Sequence, residues 1–534
     1  MKRLLLLLLF LPFLTHAQDK LEEHWYSLQL EGKTVGFLHQ TTWQSKEGLI
    51  RSEIEQTMEI RRFGFPFSMT QTDLWIEERG GALVSVSSEL DMNGQRQLVE
   101  ARITEGDLRV QIRRGEQIDE IFLPLEDDLR GLHAIDREIA AAITSSVGKG
   151  ELDYRLFSPE TMKIEEFRMR ILGPGELADS LGQTHRGVLV EEQSSSLPGV
   201  VTTEVYDEKA QFLYSKTPVG LELEILRLEG DPRGRRDGVS SDHESSKELA
   251  AVFDVASLTV PVEGVGDLSL ESTNALTVLF RGRGVAILHE SARRAEKDLS
   301  PPPATHTEAG DTPLRIVSTL KDDREEVSEL VLRLVNRPAA IGRAGSGGKS
   351  PASPGAGEIP PELKRYLEGG FHLELEDPRL AELLDRCRVT PGGSSTAGDT
   401  PVLCLERLVD RYIKNKSLAF GFAGLEEILE SREGDCTEHA LLLVALLRKA
   451  GVPSRLAYGL ILTEVGFIGH AWVELYSEAR WYWLDPSFPA GRPYGLKVRL
   501  GVMDPAEPVW ASLSLDLLKV IGNIEAEIVE TDIR

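Results

Sequence analysis

Apolar and polar positions alternate over the first two hundred residues and then take on helical spacing toward the C-terminus. Residues 25–30 and 35–43 alternate on either side of Glu31-Gly32-Lys33, which predicts a hairpin. Strand-like segments continue at 54–60, 67–76, 108–112 and 200–213, with one helical stretch at 135–144. A charged, Ser-rich run at 232–247 reads as a linker. Strands at 257–262, 276–280 and 314–319 predict a second small unit, and 338–361, rich in Gly, Ala, Ser and Pro, reads as a flexible tether. Helical spacing then appears at 361–367, 378–386, 401–413 and 425–429. The apolar run 440–450 predicts a helix that carries Arg448 and Lys449 at its basic end and stops at Gly451-Val452-Pro453. Aromatic-rich alternation at 471–476 and 481–484 predicts another hairpin, followed by closing strands at 495–502 and 524–528.

The chemistry concentrates in this last part. Glu433-Gly434-Asp435 breaks the pattern just ahead of the helix, so Cys436 falls in or before its first turn. Free N–H groups there favour a thiolate and can bind an oxyanion. With Ser477-Glu478 as a two-residue turn, the hairpin pairs Glu474 with Trp481, Trp472 with Trp483 and His470 with Asp485. Cross-strand partners stand roughly 5 Å apart, so Asp485 can hold one ring nitrogen of His470 while the other faces Cys436. A lone cysteine before an apolar helix is ordinarily a small buried hydrophobe; the company of His470 and Asp485 changes that reading. His439 reads as a packing or capping partner, and Asp435 and Glu438 as helix-dipole residues that oppose thiolate formation. Arg455 reads as a salt-bridge former, and Trp472, Trp481 and Trp483 as the wall of the site.

The blocks Gly-Asp-Cys-Thr-Glu-His-Ala (434–440), Leu-Leu-Arg-Lys-Ala-Gly-Val-Pro-Ser-Arg (446–455), Gly-His-Ala-Trp-Val-Glu (469–474) and Trp-Leu-Asp-Pro-Ser (483–487) resemble the transglutaminase-like superfamily over about 373–488. That resemblance implies a papain-like core in which Cys436 is the nucleophile, His470 the general base and acid, and Asp485 the residue that orients His470. Ser487 stands where relatives carry threonine and keeps the hydroxyl. The strand-rich N-terminal part resembles the curved antiparallel sheet, of the lipoprotein-carrier type, that precedes such domains in exported bacterial proteins. The expected fold class is α+β, with antiparallel β domains before the core.

Met1-Lys2-Arg3, an apolar stretch to Leu14 and Thr15-His16-Ala17 have the form of a cleavable signal peptide, too short for a comfortable membrane span. Domains are expected at 19–231, 248–336 and 362–534, joined through the 338–361 tether. Export gives the three cysteines meaning, because oxidising compartments pair thiols. Cys387 and Cys404 either bridge one another, leaving Cys436 free, or remain buried thiols. No spacing suggests zinc, and the carboxylates at 126–128 lack a calcium-loop pattern, so neither metal nor cofactor is expected.

With 60 basic and 86 acidic residues the formal charge is −26, which argues against nucleic acid or anionic lipid as the main partner. The expected function is exported, cysteine-dependent acyl transfer on peptide or glutamine-type amide bonds through a thioester, with a protein or peptide as substrate. The acceptor, water or an amine, stays open. The alternative is a catalytically silent envelope binding scaffold.

Overall fold

The computed structural model describes residues 19–62, 65–232, 259–300, 312–336, 359–387, 401–416, 423–488, 496–506 and 517–533, with short gaps at 105, 116, 126–128, 146–149, 198–199, 219–221, 271, 283, 322–326, 478 and 518–519. The expected signal peptide and most of the 338–361 tether and of the 232–247 linker lie outside the described residues, as do the carboxylates at 126–128. The chain divides near residue 254 into two compact units.

In the first unit fourteen strands form one antiparallel sheet. Eight of them, from Asp19–Leu30 to Gln117–Pro124, meander in chain order; six more, from Gly150–Ser158 to Glu222–Leu228, meander back until the last pairs with the first. The stretch 200–213, read as one segment, is two strands, Thr202–Tyr206 and Phe212–Pro218. Asp207 makes the turn between them by accepting from the N–H groups of Lys209 and Gln211, each at 2.8 Å.

The one helix described in this unit, Leu132–Ser145, starts against Glu77, which accepts from the Ala134 N–H at 3.4 Å. Ile135, Ile139 and Ile143 fall on one stripe at four-residue spacing and bury against Met169, Ile171 and Val190 of the sheet. Each such side chain contributes roughly 1.5–3 kcal/mol through burial.

The second unit holds two larger sheets around one core, besides a two-stranded parallel pair of Asn415–Lys416 with Glu433–Gly434. The four-stranded antiparallel sheet runs Arg480–Leu484, Gly466–Ser477, Ser454–Thr463, Lys497–Met503 in spatial order. Against its two inner strands lies the helix Cys436–Lys449, buried on all sides from Thr437 to Arg448. Shorter helices at Pro378–Asp385, Pro401–Tyr412 and Leu425–Ser431 surround it.

The five-stranded sheet runs Val262–Glu263, Glu525–Ile533, Thr273–Arg281, Val327–Val335, Leu314–Lys321. The helix Val285–Leu299, unforeseen in the sequence reading, packs against strands of both sheets. The stretches expected as a separate small domain at 248–336 and as the 362–534 domain therefore supply a shared core, and the C-terminal strand is an inner member of the sheet formed by the earlier stretch.

Candidate active site

The helix opening is built by a capping box. The Asp435 side chain accepts from the Thr437 N–H at 2.8 Å, and the Asp435 N–H donates back to Glu438 Oε2 at 2.7 Å. Gly434 has φ 156°, and a Cβ there would overlap the side chain of Glu438, so the approach to Cys436 requires glycine. His439 donates from Nδ1 to the Asp435 carbonyl at 2.6 Å, which ties the ring to the first turn and away from a role as base.

Cys436 is the free cysteine among the described residues, partly accessible at the head of the helix. Its sulfur accepts from the backbone N–H of Ala471, next to His470. Burial pushes its thiol well above the ordinary range, and the neighbouring carboxyl groups of Asp435, Glu438 and Asp485 add to this, while the Ala471 N–H works in the opposite sense. The helix end therefore does not act alone on this thiol: burial and the nearby carboxyl groups oppose the thiolate that it favours.

Nε2 of His470 lies 2.8 Å from Oδ2 of Asp485, with both side chains buried. The hairpin register differs from the expected one: Glu474 pairs with Trp483, Tyr476 with Trp481 and Ser477 with Arg480. The turn sits one residue later, around Ala479 at φ 60°. Such a shift moves cross-strand partners by two positions and leaves every side chain on its expected face. His470 and Asp485 thus meet on a diagonal, within reach of an imidazole.

Two further residues complete this buried cluster. Lys497 Nζ stands 2.6 Å from the same Oδ2 of Asp485, and the Asp485 N–H donates to Glu406 Oε1 at 3.0 Å. Lys497, Glu406 and Asp485 are essentially inaccessible to solvent. Burial alone would raise the Asp485 carboxyl, but Lys497 and His470 outweigh it and hold the group well below the usual carboxylate range. Sequence reasoning missed both partners. The available signal was Lys497 and Arg499, two bases on one face of an otherwise apolar strand.

Farther along the same sheet Glu474 accepts from Arg455 at 2.8 Å, from Arg499 at 3.0 Å and from Trp483 Nε1 at 2.9 Å. Asp298 completes this network through Arg455 at 2.8 Å and Arg499 at 3.0 Å. Arg455 is thus the salt-bridge former its sequence context suggested, and its guanidinium stacks 3.8 Å from the Trp481 ring. Cys387 and Cys404 form a disulfide that anchors the helix carrying Glu406. Among the described residues no cluster of three or more His, Cys, Asp or Glu side chains could hold a metal, and no helix is long and apolar enough to cross a membrane.

Residues 394–486 match the family model described as the transglutaminase-like superfamily. No curated protein matches the chain. Among solved structures, a β-barrel-like protein of a domain of unknown function from Brucella abortus is 9% identical with a TM-score of 0.30, over 39% of this chain and 98% of that one. A Cytophaga hutchinsonii protein, provisionally described as a cysteine protease, is 13% identical with a TM-score of 0.25, over 49% of this chain and 90% of its own. A provisionally described protease from Parabacteroides distasonis is 12% identical with a TM-score of 0.17, over 78% and 70%. Within the second unit, the stretch that contains Cys436, His470 and Asp485 is a transglutaminase-like domain.

Proposed function

We propose that the protein is an exported enzyme of cysteine-dependent acyl transfer, acting on peptide or glutamine-type amide bonds. The observation that carries this reading is the His470–Asp485 pair at 2.8 Å, next to the Ala471 N–H that binds the Cys436 sulfur. Asp485 engages Nε2 and leaves Nδ1 as the nitrogen that exchanges protons with the thiol. Because burial and the nearby carboxyl groups disfavour the thiolate, His470 takes the thiol proton as a general base during attack.

In the acylation step the S–H proton passes to His470 as the sulfur bonds to the carbonyl carbon. The tetrahedral oxyanion is met by N–H groups at the helix opening, including that of Cys436 itself. His470 then gives the proton to the departing amine as the C–N bond breaks, leaving a thioester on Cys436. Water attacks next in hydrolysis, or a lysine-type amine in transamidation; its proton goes to His470 and returns to sulfur as the thioester opens. The Cys387–Cys404 disulfide suits the oxidising compartment that the N-terminal sequence suggests.

The test uses p-nitrophenyl acetate as an activated acyl donor. A burst of nitrophenol with one acetyl group on Cys436, absent in Cys436→Ala and at least tenfold slower in His470→Ala, is the expected result. A folded wild-type protein that forms no acyl-enzyme would favour the silent scaffold.

A further inference from the structure

We propose that Lys497 is a positioning residue of this site, which sets the charge balance under which His470 accepts and releases its proton. The inference rests on the reading of His470 as the general base. Lys497 and His470 share one oxygen of Asp485, at 2.6 and 2.8 Å, so the ammonium stands within a few ångströms of the imidazole.

The other charges around His470 can be assigned element by element. The helix Pro401–Tyr412 brings Glu406, bonded to the Asp485 N–H. The helix Cys436–Lys449 brings Cys436 and Glu438, with Asp435 at its cap. From the sheet come Glu474, Arg455 and Arg499, which are occupied with one another and with Asp298.

Without Lys497, the buried carboxylate of Asp485, bonded to His470, and that of Glu406, bonded to the Asp485 N–H, would lose the cation that acts on both. A buried anion pair with a single counter-cation holds that cation charged, and an imidazolium held that way cannot take the thiol proton. Lys497 neutralises one of the two carboxylates and leaves His470 free to cycle. It lies outside the matched stretch 394–486, on the strand at the far edge of the four-stranded sheet, and reaches the triad from there.

The experiment is NMR titration of the 13C-labelled histidine rings in full-length protein carrying Cys436→Ser, with His470 assigned by its loss in His470→Gln. Lys497→Met is expected to move the His470 midpoint up by at least one pH unit, a tenfold change in proton affinity. Glu406→Gln keeps the acceptor oxygen but removes the charge, and is expected to move the midpoint down. A midpoint unchanged in both variants, with folding verified by circular dichroism, would overturn the inference. Should Lys497→Met fail to fold, the Glu406→Gln shift decides alone: a downward shift supports the charge balance and no shift refutes it. Because these titrations need no turnover, they stand apart from the acetylation test: shifts without acylation would retain the charge balance and sink the enzyme reading, and acylation without shifts would do the reverse.

Discussion

His470 Nε2 and Asp485 Oδ2 stand 2.8 Å apart across a hairpin whose last ladder pair is Val473 with Leu484, so the two residues meet beyond the paired strands. The aspartate lies just past its strand and is held by its own backbone, through the Asp485 N–H on Glu406, as well as by Lys497. The position of the imidazole therefore depends on groups from a helix and from the far edge strand, besides the hairpin.

Asp485 makes the second unit sensitive to acid. Its carboxyl is depressed in the fold because Lys497 and His470 outweigh the effect of burial. A depressed carboxylate stabilises fully above its unfolded pKa of about 4 and loses that contribution as pH falls through the folded value. Asp485→Asn should cost about 3–5 kcal/mol at pH 7, and the difference from wild type should narrow below about pH 4. Urea unfolding across a pH series measures both; a difference that stays constant down to pH 2 would rule out this linkage.

Glu474 is buried without solvent contact and answers two guanidinium groups, Arg455 and Arg499. Its carboxyl is kept low by these two arginines against the opposing effect of burial. Glu474→Ala should destabilise the second unit by about 3–5 kcal/mol, since it strands buried positive charge beside Trp481 and Trp483. A loss under 1 kcal/mol in chemical unfolding would show that Asp298 alone compensates the arginines.

The Cys387–Cys404 disulfide closes a loop with a sequence separation of 17 residues. Loop entropy for that length gives about 3 kcal/mol of stabilisation. The Cys387→Ser, Cys404→Ser double variant should lose about that much while acetylation of Cys436 persists below its melting range. If the double variant is as stable as wild type under oxidising conditions, the bridge is not formed in solution.

Gly434→Ala should damage the site through the capping box. The added methyl meets the Glu438 side chain, which must then release the Asp435 N–H, and the expected cost is about 1–2 kcal/mol with a slower reaction at Cys436. Equal stability and unchanged acetylation would show that the first turn tolerates the shift.

The helix that opens at Cys436 and the aromatic hairpin were legible in the sequence because both rest on local rules. Gly434-Asp435 breaks one pattern and caps the next, and alternation at 471–476 and 481–484 specifies faces whatever the turn. The turn itself was misplaced by one residue, since Ala479 adopts positive φ without being glycine or asparagine. Long-range pairing left weaker traces. That Glu525–Ile533 inserts beside Thr273–Arg281, and that Val285–Leu299 lies against both sheets, depends on contacts between residues hundreds of positions apart. Lys497 and Glu406 left little trace for the same reason: apart from the spacing of Lys497 and Arg499 on one apolar strand, each reads as an ordinary surface charge until the fold brings it to Asp485.

Alkylation of Cys436 is the measurement to make first. Purified protein is treated with iodoacetamide across a pH series, and the adduct is located and timed by mass spectrometry in wild type and His470→Ala. Single-site labelling of Cys436 near neutral pH, at least tenfold slower without His470, is the predicted outcome. Labelling that rises only near the ordinary thiol pKa of about 8.5, or above it, and at the same rate in both proteins, would contradict the proposal that His470 activates Cys436.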